Sequence, residues 1–227
     1  MKALLYKEFK LAMHPICYVF IVMFPFMILI PSYPLAIGFI YVLSCYPILF
    51  LGANKGQQSN DLLFSTLLPV RKKDIVLARI ITVAIMQFAF IAIMSALLPV
   101  AMMIQGSIQA QSSEAVTPGI PLSGFMSVVA IALVGYALAD LIYFSIYYKH
   151  GKSIVASTLF TILGFLVYLG ILTIALPYIP GCEGYVTFLS SNIFYQLILL
   201  GAALIIYVIL HFVVYKVASK ELEKVDF

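Results

Sequence analysis

The chain has 227 residues, 64% of them hydrophobic and only 10% charged. Soluble domains carry about 25% charged residues, so a water-soluble globule is excluded and an all-α, polytopic membrane protein is expected. Six spans of about 20 apolar residues would use roughly 120 residues. That leaves no room for an ATP-hydrolysing, DNA-reading or dinucleotide-binding domain, and the net charge of +4 calls for no nucleic-acid partner.

In chain order, residues 1–13 come first. Leu4, Leu5, Phe9, Ala12 and Met13 share one helical face, while Lys7, Lys10 and His14 share another. This pattern suits an interfacial helix lying on the inner leaflet; a frayed start to the first span is the alternative. Apolar runs then predict six spans, at about 11–30, 35–51, 75–103, 122–148, 154–176 and 193–215. No small-x-small cleavage site precedes Pro31, so the first run is kept as a span and not read as a signal peptide. Pro31 and Pro34 stop one helix and restart another. Cys17, Cys45 and Cys182 are scattered and odd in number, which suits packing and neither disulfides nor a metal site.

The basic residues set the expected orientation. Lys2, Lys7 and Lys10 precede the first span, and Lys55, Arg71, Lys72, Lys73 and Arg79 lie in or beside the second connection. Lys149 and Lys152 lie in the fourth connection, and Lys216, Lys220 and Lys224 in the tail. All 13 thus fall on one side of a six-span chain, and the positive-inside rule makes both termini cytoplasmic. With 15 Tyr and no Trp, tyrosine is expected to supply the interfacial belt.

The connection over 53–74 is the most informative stretch. Asn60 or Asp61 can cap a short helix that Pro69 ends, with Leu62, Leu63, Phe64, Leu67 and Leu68 along it. That apolar surface needs a cover, either the lipid interface or a cytoplasmic partner protein. The run from Asn60 through Leu68-Pro69-Val70-Arg71-Lys72-Lys73 to Ile75, Val76 and Arg79 resembles the segment between the second and third spans of type-2 ABC exporter permeases, and Leu5-Tyr6-Lys7-Glu8-Phe9-Lys10 resembles their start. The resemblance implies that 61–68 is a coupling helix seated in a groove of an ATPase subunit. It also implies that Arg71, Lys72 and Lys73 hold that helix against anionic headgroups or the ATPase. Members often carry a glutamate early in this helix; here Asn60 and Asp61 stand in that region.

Gly151-Lys152-Ser153 imitates the end of a phosphate-binding loop, but the glycine required five residues earlier is Ile146. This basic turn is therefore read as a connection, open to a second contact with the partner.

Polar residues inside spans are costly and deserve weighing. Tyr136, Asp140, Tyr143 and Tyr147 share one face of the fourth span. Asp140 is read as a structural carboxylate that bonds a neighbouring helix, with tyrosine hydroxyls as partners. A proton relay is disfavoured because none of the three histidines lies near it in sequence. Ser157, Thr161, Gly164 and Tyr168 form a stripe on the fifth span, read as close helix packing or, by the resemblance, as the wall of a substrate path between two copies. Gln87 and Gln196 are expected to make interhelical bonds. External segments are placed at 104–121, a polar loop, and 177–192, which mixes turn formers with apolar residues and could dip into the membrane.

The leading functional expectation is the permease half of an ABC exporter, paired with a separate ABC ATPase subunit and with a second permease copy, in contact with membrane lipid. This chain would bind no cofactor and no metal; ATP and magnesium would belong to the ATPase. The sparse interior charge suits amphipathic peptides or other hydrophobic cargo. A non-transporting immunity or sensor protein is the alternative, and a small intramembrane enzyme, which needs clustered polar groups, is the second.

Overall fold

A computed structural model describes residues 2–13, 15–30, 70–111, 122–149, 154–172, 178–179 and 192–224. The expected second span at 35–51 and the 61–68 segment, with Asp61, Leu62, Leu63, Phe64, Leu67 and Leu68, lie outside the described residues. All the regular structure among the described residues is helical.

Helix α1, Lys2–Lys7, widens into a π-helical turn, Glu8–Ala12, and stops at Met13, whose backbone is extended. Helix α2, Pro15–Met23, starts on a proline, whose fixed φ suits a first helical turn. Pro25 has no amide hydrogen to continue the α-helix, and the chain tightens there into a 3-10 segment, Phe24–Leu29. The expected first span is therefore built from two short pieces of different pitch.

Helix α3, Lys72–Gln111, is 40 residues long and holds Pro99 in its interior. At about 1.5 Å per residue it measures about 60 Å, twice the ~30 Å hydrocarbon core. Residues 104–111, expected to be loop, are helical. The cause is propagation: adding residues to an established helix is easy, and Ser107 Oγ folds back to donate to Met103 O at 2.9 Å.

A 3-10 turn, Leu122–Gly124, leads into α4, Phe125–Lys149, close to the expected limits. Helix α5, Ile154–Gly170, continues into a π-helical turn at 171–172, and the expected end of this span at 176 lies outside the described residues. Helix α6, Ile193–Lys224, begins where Asn192 Oδ1 accepts the Phe194 amide at 3.0 Å and runs well past the expected end at 215. A Lys224–Glu221 pair at 2.6 Å supports its last turn.

Three described helices are long and apolar enough to cross a membrane: Lys72–Ile104, Phe125–Lys149 and Ile193–Lys224. Cys17–Leu29 and Val155–Gly170 are shorter apolar helices.

Helix α4 is the centre of the bundle. It packs most extensively on α6 and next on α5, while α3 packs on the Phe24–Leu29 segment and on α6. Close approach of α4 and α5 needs two glycines. A Cβ on Gly135 would meet the Phe165 ring at 2.6 Å and the Tyr168 ring at 3.0 Å, and one on Gly164 would collide with Ile142. The outer sides of α5 and α6 expose Leu159, Leu163, Leu166, Ile205, Val208 and Phe212, a surface suited to hydrocarbon.

Candidate functional site

The bundle buries two polar clusters, one at the basic end of the helices and one deeper. The first begins in α1. Leu4 packs with Ile75 and Ala78 at the start of α3, which lays α1 along α3 and brings Glu8 to Arg79. Arg79 Nε donates to Glu8 Oε2 at 3.1 Å, with side chains 2% and 3% exposed. Arg79 also donates to the Tyr147 hydroxyl of α4 at 3.3 Å, and Lys7 Nζ stands 3.5 Å from Glu8 Oε1. Tyr18 of α2 donates to Phe9 O at 2.6 Å, tying the start of the π-helical turn to the next helix. This knot therefore joins the π-helical turn after α1 to α3 and α4 at one level. Lys7, expected on the polar face of an amphipathic helix, is buried instead, because it lies one turn from Leu4 on the side that packs on α3 and Glu8 supplies the counter-charge, whereas Lys10 stays exposed.

The basic cluster behind the expected coupling helix divides in the structure. Lys72 and Lys73 belong to the first turn of α3. Lys73 Nζ pairs with Glu223 Oε1 of α6 at 3.2 Å, and Arg71 Nε lies 4.0 Å from Asp74 Oδ2, both pairs substantially exposed. Lys73 thus links the ends of α3 and α6.

The second cluster joins three helices. Asp140 of α4 is fully buried, and its Oδ2 accepts from Gln87 Nε2 of α3 at 3.0 Å and lies 3.0 Å from His211 Nε2 of α6. Tyr207 of α6 donates its hydroxyl to Gln87 Oε1 at 2.6 Å, and its backbone carbonyl lies 2.9 Å from His211 Nδ1. The Tyr207 and His211 rings lie against each other with centroids 4.0 Å apart. Seven residues of α4 separate Asp140 from Tyr147, about 10 Å along the helix. Between the two levels, Tyr143 stacks on Tyr147 at 5.7 Å.

Tyr136, Asp140, Tyr143 and Tyr147 are all buried, as a shared inward face requires. Asp140 is bonded by Gln87 and lies 3.0 Å from His211, two neighbours beyond the tyrosine hydroxyls that were expected as partners. The separation in sequence that argued against a histidine is cancelled by the α4–α6 packing, which brings position 211 to position 140. No sequence signal identified His211, Glu8 or Arg79 as members of buried clusters. A single histidine in an otherwise apolar span, at 211, was the one available hint. Gln87 and Gln196 do bond other elements, the latter donating to Ser123 O at 2.9 Å.

On α5, Ser157 and Thr161 are buried, Thr161 Oγ1 donates to Ser157 O at 2.7 Å, and Tyr168 reaches Ile131 O of α4 at 2.9 Å. With Gly164 against Ile142, the stripe forms part of the α4–α5 contact. Among the described residues no three His, Cys, Asp or Glu side chains converge to hold a metal ion.

Residues 3–219 match the family model described as ABC-2 family transporter protein. No curated protein matches the chain, and neither does any solved structure.

Proposed function

The chain belongs to the ABC-2 transporter family, a membrane transport permease and not itself a catalyst, and from that premise we propose that it is the permease subunit of an ATP-driven exporter. Permeases of this family generally work with an ABC ATPase subunit. Here that subunit would be a separate chain holding the ATP and magnesium, and two permease copies, identical or related, would assemble in the cell membrane. Six spans with both termini in the cytoplasm remain our reading of the topology, resting on the one-sided distribution of Lys and Arg. The cargo we favour is an amphipathic peptide or another hydrophobic compound. Ser157, Thr161, Gly164 and Tyr168 are read as packing residues, a reading supported by the burial of Ser157 and Thr161 and by the contacts of Gly164 and Tyr168 with α4.

The observation that carries the coupling proposal is the Glu8–Arg79–Tyr147 knot. A segment that receives force from an ATPase needs a rigid mount. Helix α3 begins at Lys72, four residues after the proposed 61–68 coupling helix, and two turns later it is bonded to the π-helical turn that follows α1 and to α4 inside the protein. Force on 61–68 would thus enter three helices together.

Phe64 is the largest apolar side chain of the proposed coupling helix and the expected anchor, since aromatic groups in pockets dominate small interfaces. Phe64→Ala should weaken ATPase binding by about 2 kcal/mol or more and uncouple transport, with normal membrane insertion. Co-purification of the ATPase at equal permease levels checks it. Equal recovery with wild type and variant removes Phe64 as the anchor, and recovery of no ATPase with wild type favours the immunity or sensor reading.

A further inference from the structure

Helix α6 is apolar from Ile193 and turns basic at its C-terminal end. Along its outer face Ile205, Ile209, Phe212, Lys216 and Lys220 follow one another at steps of three and four residues, with Ile198 two turns earlier. All of these side chains are exposed. The stretch from Ile193 to Phe212 measures about 28 Å, close to the ~30 Å hydrocarbon thickness. Lys216 and Lys220 therefore stand about 6 and 12 Å beyond Phe212, across the headgroup layer.

The first lysine is directed at the membrane. Side chains on a helix lean toward its N-terminus, which on α6 is the apolar side, so a lysine placed after Phe212 carries its ammonium back toward lipid. Lys216 does so, with Nζ 4.7 Å from the centroid of the exposed Phe212 ring. Neither Lys216 nor Lys220 forms an ion pair with a described carboxylate. The two acids of this end are engaged elsewhere, Glu223 by Lys73 at 3.2 Å and Glu221 by Lys224 at 2.6 Å. An exposed apolar track thus ends in two cations that lack a described counter-charge.

We propose that this face of α6 binds an anionic phospholipid, its phosphate between the ammonium groups of Lys216 and Lys220 and an acyl chain along Phe212, Ile209 and Ile205. The form of the face selects the occupant. A zwitterionic lipid fills the track but brings its own cation beside the phosphate. A soluble anion matches the lysines and leaves the track untouched, and an acidic protein would have to enter hydrocarbon to cover Phe212. A negative group joined within about one helical turn to a long apolar tail satisfies both parts at once. The site needs only the membrane setting of the chain and is independent of the exporter reading.

Phe212→Trp supplies the probe, because the chain has no Trp of its own and an indole keeps a ring under the Lys216 ammonium. The full chain is reconstituted in vesicles of phosphatidylcholine containing phosphatidylglycerol or further phosphatidylcholine brominated near the carboxyl end of one acyl chain. Quenching of the indole then reports which lipid occupies the face. Phosphatidylglycerol should be preferred by about fivefold or more, the attraction expected of a single lysine at an anionic surface. Adding Lys216→Gln/Lys220→Gln should bring the ratio close to one, whereas Lys216→Arg/Lys220→Arg should keep the preference. Lys10→Gln/Lys224→Gln, which removes as much charge elsewhere, should also keep it. Equal quenching by the two lipids overturns the site, and so does an equal loss in the Lys10/Lys224 variant, which would mean a diffuse field. Loss of the preference to inorganic phosphate at matched ionic strength assigns the lysines to a free anion and overturns the lipid. No lipid preference, together with lower ATPase recovery by the Lys216→Gln/Lys220→Gln chain, assigns them to a protein and overturns it equally.

Discussion

The two buried polar clusters solve the same problem differently. At the basic end of the bundle, Glu8 and Arg79 meet at 3.1 Å, and arginine keeps its charge at any accessible pH. About 10 Å deeper along α4, Asp140 meets a histidine, the one basic side chain whose ordinary pKa lets it lose its charge near neutrality. The cluster at the basic end thus holds a permanent ion pair in a buried site. The deeper one joins the two most extensively packed helices and sets a carboxylate beside a ring that can lose its charge.

The sharpest way to break this comparison is to remove one partner of the permanent pair. Arg79→Ala should destabilise the protein by about 3–5 kcal/mol, because Glu8 stays buried without its strongest counter-charge. Replacing both at once, as Glu8→Gln/Arg79→Met, should cost clearly less. Thermal unfolding of the purified chain in detergent or bicelles reads both values. A double variant as unstable as Arg79→Ala would mean that the pair does not act as a unit.

A smaller effect is expected at the deeper cluster. Asp140→Leu removes the acceptor for Gln87 and His211 and should cost about 1–3 kcal/mol. Asp140→Asn retains an amide oxygen for Gln87 and should preserve assembly and most transport. If Asp140→Asn abolishes transport in a normally assembled complex, the charge itself is required and the Asp140 carboxylate is more than a bonding group.

The smallest effect belongs to the exposed rim. Lys73→Ala should change stability by less than about 1 kcal/mol, since both side chains of the Lys73–Glu223 pair are about half exposed. Raising salt should erase most of the difference between Lys73→Ala and wild type. Nearby, the Lys224 hydrogen bond lowers the Glu221 carboxyl below its ordinary range. A lowered carboxylate contributes above its unfolded pKa and loses the contribution as pH falls through the folded value, so this last turn of α6 should fray in acid. Helical content of the C-terminal turn, followed by hydrogen exchange from neutral to acid pH, checks it.

The membrane class, the all-helical character and the limits of α4 were legible in the sequence because they follow from local quantities: the length of an apolar run, the prolines that interrupt it and the sidedness of lysine and arginine. The inward face of Tyr136, Asp140, Tyr143 and Tyr147 was legible for the same reason, since helical periodicity is set by residues within two turns of one another. The partners of that face were not. Asp140 and His211 are 71 positions apart, as are Glu8 and Arg79, and nothing in a local pattern relates one helix's rotation to another's. Only packing decides that, through Gly135 and Gly164 letting α5 close onto α4 and through α6 laying its Tyr207–His211 edge against Asp140. The helix ends at Gln111 and Lys224 escaped for a related reason: once a long helix is formed, adding a polar turn costs little, and composition alone carries no record of the nucleus already present.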